Sequence, residues 1–161
     1  MKFWWLSYYL VISPILEYCT PVWSPHTACN INKIESCQRW FTKRIKGLCG
    51  LDYSQRLEHI GLETLQLRRI KYDLLMCYKI ISGEVSLQCN LLDLSDFTQT
   101  RGHKYKLHKH QSNVNAYRYF FCNRICDTCN ALPHTVVEAP SLNTFKRLLN
   151  NVAVCHVAVL P

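Results

Sequence analysis

The chain has 161 residues, 48% hydrophobic and 19% charged, with a formal net charge of +8. That length and composition fit one globular domain with a real core, and the charge favours an anionic partner, nucleic acid or an acidic membrane. No Asp-Asp, Asp-Glu or Glu-Glu pair occurs, which excludes two-metal phosphoryl transfer on adjacent carboxylates; Gly-x4-Gly-Lys, Gly-x-Ser-x-Gly and His-Glu-x-x-His are absent too.

The chain opens on an uncharged run, Phe3–Leu16. It is shorter than the ~20 residues of a membrane span, and no small-x-small cleavage site follows, so it reads as a buried first helix. Asn-x-Ser/Thr is absent throughout, which argues mildly against secretion. Pro14, Pro21 and Pro25 rule out a continuous helix through Glu17–Pro25. Tyr18, Val22 and Trp23 are large enough to anchor that segment on a core.

Ile31, Ile34, Cys37, Phe41, Ile45 and Leu48 then recur at steps of three and four, the repeat of a one-sided helix. Asn30 can cap its start, and Gly47 and Gly50 can end it. Lys33, Arg39, Lys43, Arg44 and Lys46 fall on the outer face against a single acid, Glu35. That face is either simply solvated or binds phosphate.

Asp52 and Gln55 predict a capping box, with Leu57 and Ile60 inward, Gly61 as the stop and Leu62 folding back. Thr64 predicts the cap of a longer helix. Its stripe is Leu67, Ile70, Leu74, Cys77 or Tyr78, and Ile81, and Gly83 ends it. Arg68, Arg69, Lys71 and Lys79 lie off the stripe, so the pattern of apolar inside and basic outside repeats. Two such helices joined by a short one predict a helical bundle.

Residues 84–100 read as a loop with one turn. Between Asp96 and Asp127 there is no acid, but there are Arg101, Lys104, Lys106, Lys109, Arg118 and Arg124, with His103, His108 and His110. Tyr105, Tyr117 and Tyr119 are interleaved; cations neutralise phosphates and tyrosines stack on unpaired bases, so this stretch is a candidate nucleic-acid contact. The histidines are a weak metal signal. Tyr117, Phe120, Phe121, Ile125 and Leu132 predict a further helix stripe, stopped at Pro133. Val136 and Val137 extend against the core, and Ser141 caps a final helix with Leu142, Phe145, Leu148 and Leu149 inward.

The ten cysteines are irregularly spaced, as in a reduced intracellular protein. Cys122, Cys126 and Cys129 have the C-x3-C-x2-C spacing that radical enzymes use to hold an iron–sulfur cluster, but Thr128 stands where those loops carry an aromatic. A zinc site with His134 is a second option. The same spacing places the three on one helix face, and packing is the favoured reading.

One longer likeness runs through the chain. PILEYCTPVWSP, an amphipathic helix ending QRWFTKRIKGL, YSQRLEHIGLETLQLRRIKYDLLMCYKIISG, TRGHKYKL, FFCNRICDTCNALP and SLNTFKRLL follow one another. In that order they resemble the C-terminal, post-palm part of reverse transcriptases from non-LTR (LINE-type, jockey-like) retrotransposons, over residues 10 to 150. The resemblance implies a truncated fragment of an RNA-directed DNA polymerase, with Met1 a start inside a truncated element or a misplaced one. Its catalytic carboxylates and their Mg ions would belong to a missing palm, so this chain would carry no cofactor and no catalytic residue. Its partners would be RNA or an RNA–DNA hybrid and the missing palm and fingers, and its place intracellular, in nucleus or cytoplasm.

The expected architecture is mainly α, an irregular bundle of five to six helices with a basic loop. The expected segments, within a single domain overall, are 1–26 (apolar helix and Pro/aromatic segment), 27–83 (thumb-like helices), 84–116 (basic linker), 117–150 (C-terminal helices) and 151–161 (apolar tail). The candidate nucleic-acid contacts, chosen by charge and placement, are Lys43, Arg44, Arg68, Arg69, Arg101, Lys104 and Lys106. The competing readings are a helical protein-interaction module and a membrane-associated protein anchored by residues 3–16.

Overall fold

The computed structural model describes residues 8–86, 91–95 and 103–152, with Tyr9 described by its backbone alone. The mainly α class holds. Among the described residues there are eight α-helices, a π-helical turn at Tyr8–Ile12 and an isolated antiparallel bridge between Leu94 and Leu107. The helices are α1 (Ser13–Glu17), α2 (Ala28–Lys43), α3 (Tyr53–Ile60), α4 (Leu65–Ile81), α5 (Asn115–Arg118), α6 (Phe121–Asn130), α7 (His134–Val137) and α8 (Leu142–Asn151). Three of these have only four or five residues, which is why they exceed the five or six read from periodicity. The chain divides into two compact units, Met1–Thr20 with Ser24–Arg69, and Pro21–Trp23 with Ile70–Pro161.

The first unit is built around polar side chains. In α2 the buried face is Glu35, Gln38, Phe41 and Thr42, whereas Cys37 is exposed. This corrects two expectations: Cys37 is not on the core stripe, and Glu35 is not an outer-face acid. The reason is hydrogen bonding. Gln38 accepts from Tyr8 Oη at 2.5 Å and from Arg68 Nη2 at 2.7 Å, and donates to Tyr53 Oη and the Glu63 carbonyl, both at 3.0 Å. Glu35 accepts from Tyr53 Oη and from the backbone N–H of Leu65 at 3.2 Å and Gln66 at 3.4 Å. A buried polar group with partners on every side costs little, and a carboxylate at a helix N-terminus is favoured by the dipole. Arg56, also buried, donates to the Leu51 carbonyl at 2.7 Å and to Thr42 at 3.3 Å, fastening α3 to α2.

The helix punctuation is mostly as expected. Asp52 and Gln55 form a reciprocal capping box, Gly61 closes α3 at φ 69°, Thr64 Oγ1 accepts from Leu67 N–H at 3.2 Å, and Gly83 follows α4 at φ 75°. Two positions differ. Helix α2 begins at Ala28, so Asn30 lies inside it, and of the two glycines after α2 only Gly47 has a positive φ, 92°. Proline keeps helix out of the segment after Glu17, but Tyr18, Val22 and Trp23 are 72, 71 and 41% exposed rather than buried in a core. Of the expected buried first helix, Tyr8 and Ser13 are buried while Leu10, Val11 and Ile15 are exposed.

Burial raises the Tyr8 hydroxyl from 10.0 to about 12, against the opposing pull of Arg68. A raised pKa means the folded state holds its proton more tightly. The stability this hydroxyl contributes is therefore full below pH 10.0 and lost as pH rises through the window to about 12. Comparing urea midpoints of wild type and Tyr8→Phe across that window should show a steeper decline in wild type; parallel curves would refute the assignment.

The second unit has the more conventional core: Leu74, Cys77, Leu107, Phe121, Ile125, Cys126, Cys129, Leu132, Val136, Val137, Phe145 and Leu149 are buried. Tyr78 stacks on Phe145 at 4.5 Å between centroids and donates to the Ala139 carbonyl at 2.8 Å. Ser141 caps α8 through Thr144 N–H, and Leu132 and Pro133 follow the end of α6, both as expected. Val136 and Val137 are buried, but as a helical turn rather than an extended segment, and Tyr117 and Phe120 of the expected stripe are 43 and 39% exposed.

Candidate nucleic-acid interface

The candidate cations fall into three groups. Lys43 ends α2 and Arg44 caps it, and both are exposed. The Arg44 guanidinium lies 3.2 Å from the centroid of the half-exposed Trp40 ring and donates to the Trp40 carbonyl at 3.3 Å. Cations at a helix C-terminus are favoured by the dipole, and a flat guanidinium is favoured over an indole face. Lys33, Arg39 and Lys46 are exposed in the same unit. This is an open basic surface with an aromatic plane, and no periodic rule in the sequence marks an outward aromatic such as Trp40.

Arg68 and Arg69 are a correction. Both were expected to project outward from α4. Arg69 is 3% exposed, with Nη1 donating to the Leu16 carbonyl. Arg68 pairs with Glu17 at 2.6 Å and donates to Ser13 at 3.1 Å and to Gln38. Their charge is directed into the first unit, because the chain before α2 folds back over this turn of α4 and supplies acceptors that a helical wheel cannot show.

The third group is the basic stretch of the second unit; Arg101 lies outside the described residues. Lys104 is exposed, with its ammonium 5.0 Å from the Tyr105 ring, and Lys106 is half-buried. The described part of this stretch is not a free loop. Ser95 N–H donates to the Lys106 carbonyl at 2.7 Å and His108 N–H to the Asp93 carbonyl at 2.8 Å. Asn130 holds both backbone groups of Leu107, at 2.8 and 2.9 Å, and Asn123 accepts from His110 N–H at 3.1 Å. Two amides seven residues apart lie on one helix face, so α6 grips an extended segment as a neighbouring strand would. The signal in the sequence was an Asn pair at helical spacing.

Several cations of the acid-free stretch find partners outside it. Arg124 makes a two-pronged pair with buried Asp73, Nε to Oδ2 at 2.8 Å and Nη2 to Oδ1 at 2.9 Å. Lys109 pairs with Asp127, and the His110 ring, which is not counted as a cation, hydrogen-bonds with Asp93 at 2.6 Å. Lys71, from α4, donates to Asn150 at 2.9 Å.

Cys126 and Cys129 are buried on the inner face of α6, and Cys126 donates to the Cys122 carbonyl at 2.9 Å. Burial pushes the Cys126 thiol up to about 12. Among the described residues no group of three or more His, Cys, Asp or Glu is placed to hold a metal ion. Among them, too, no helix is long and apolar enough to cross a membrane.

No protein-family profile matches the chain, and no curated protein or solved structure does.

Proposed function

We propose that this chain is the helical region that follows the palm of a LINE-type reverse transcriptase, and that it grips the backbone of RNA or an RNA–DNA hybrid without performing phosphoryl transfer. The ordered series of sequence blocks from Pro14 to Leu149 carries this reading. The all-α class and the open basic surface around Lys43, Arg44 and Trp40 support it. Lys104 and Lys106 of the second unit are the next candidates. Arg68 and Arg69 act in the fold of the first unit instead. Polymerase metal chemistry would lie in the palm and fingers, outside these residues, and the working compartment would be nucleus or cytoplasm.

A second reading, a helical protein-interaction module, draws on the exposed Leu10, Val11 and Ile15. Salt separates the two. Fluorescence anisotropy with single-stranded RNA and with an RNA–DNA hybrid should show log affinity falling linearly with log salt. Lys43→Ala and Arg44→Ala should each flatten that slope by about one, with little preference among sequences. Absent or salt-insensitive binding would assign the chain to the interaction class. Reading all frames of the nucleotide sequence upstream of the Met1 codon tests the family itself: a palm with its Asp-Asp pair is expected, and an unrelated upstream region would remove the family assignment.

A further inference from the structure

Cys77 on α4 and Cys129 on α6 bring their sulfurs to 3.7 Å, with Cys77 donating to Cys129. Both are buried in the second unit, and both line a cavity of about 160 Å³. Leu74, Tyr78 and Phe145 form part of its apolar wall. Lys104, which is exposed, and the half-buried Tyr105 form another part, which brings one side of the cavity to the surface. The neighbouring Cys126 differs, because its thiol donates to a backbone carbonyl rather than to a second sulfur.

We propose that Cys77 and Cys129 are an oxidisable dithiol, and that a peroxide entering this cavity closes them to a disulfide. The two sulfurs need to approach from 3.7 Å to the bonded distance of about 2.05 Å. They lie on two different helices, α4 and α6. The hydrogen bond from Cys77 lowers the pKa of the Cys129 thiol, while donating that bond and being buried raise that of Cys77. With Cys77 donating its S–H to the Cys129 sulfur, Cys129 is the attacking sulfur of the proposed pair and Cys77 the resolving one.

In the first step the Cys129 thiolate attacks one oxygen of hydrogen peroxide and the O–O bond breaks. Cys129 becomes the sulfenic acid, and the departing hydroxide takes up the proton that Cys129 released, giving water. In the second step Cys77 attacks the sulfenic sulfur, the S–O bond breaks, and the departing hydroxide takes the Cys77 proton as a second water. Two thiols lose two electrons in all, and one peroxide is reduced to two waters.

The test uses the full chain carrying Cys29→Ser, Cys37→Ser and Cys49→Ser, which removes three exposed competitors. It is treated with stoichiometric hydrogen peroxide, alkylated, digested without reductant and mapped by mass spectrometry. A Cys77–Cys129 linked peptide should be enriched roughly tenfold or more over the same chain oxidised in denaturant, because the fold holds the sulfurs together. Dithiothreitol should remove the link. A yield no higher than in the denatured chain would overturn the proposal and leave the pair as packing alone. Adding Cys77→Ser should leave Cys129 as a sulfenic acid that dimedone labels; a folded variant without that label would also overturn it. If this variant does not fold, the linked-peptide comparison decides by itself.

Discussion

Asp73→Ala is expected to cost the second unit about 3–5 kcal/mol, the loss associated with stripping one partner from a buried ion pair. Asp73 is 4% exposed, and its two oxygens accept from Nε and Nη2 of Arg124. The variant removes the carboxylate that faces two of the guanidinium nitrogens, while Arg124 keeps, among other contacts, those to the carbonyls of Pro21 and Tyr119. Replacing both partners with apolar residues should recover most of the loss, because breaking a buried ion pair from one side costs more than exchanging the whole pair for apolar packing. Urea unfolding of the two single variants and the double variant measures this. Three equal losses would show that the pair acts through packing alone.

Glu35→Ala should cost the first unit about 2–4 kcal/mol, combining a lost helix cap with a half-buried tyrosine hydroxyl left short of a partner. Helix α4 begins at Leu65, and the Leu65 and Gln66 N–H groups point at the Glu35 carboxylate, which Tyr53 Oη also meets. Glu35→Gln keeps one acceptor oxygen and should lose roughly half as much. Hydrogen exchange gives the local readout: the Leu65 and Gln66 amides should lose protection first in Glu35→Ala. Unchanged protection there, alongside a general loss of stability, would sink the capping role.

Both residues show where sequence reasoning stopped. By sequence Glu35 is the lone acid among outer-face cations, and Arg124 is one more cation in an acid-free stretch. Each has its partner far away along the chain, at Leu65 and at Asp73. A helical wheel reports which side chains share a face, but it cannot report that another segment will bring a donor to meet a carboxylate. Arg68 and Arg69 were misplaced for the same reason, since Glu17 and the Leu16 carbonyl reach them only after the chain folds back.

Local rules carried further. The Asp52–Gln55 box, Thr64, Gly61, Gly83 and Ser141 were legible because a cap or stop is settled within four residues of backbone. The inward Leu74, Ile125, Phe145 and Leu149 were legible because apolar burial needs no specific partner. Of the candidate interface, Lys43, Arg44 and Lys104 lie on the surface as their charge suggested. The sequence alone thus determined the all-α class, the ends of several helices and much of the apolar core of the second unit. Tertiary structure alone decided which charges face solvent, which are spent inside, and that two cysteines 52 residues apart meet at 3.7 Å. Burial of an apolar group is non-directional and can be read from a pattern. A buried charge or thiol is defined by its partner, and the partner's distance and angle exist only once the chain has folded.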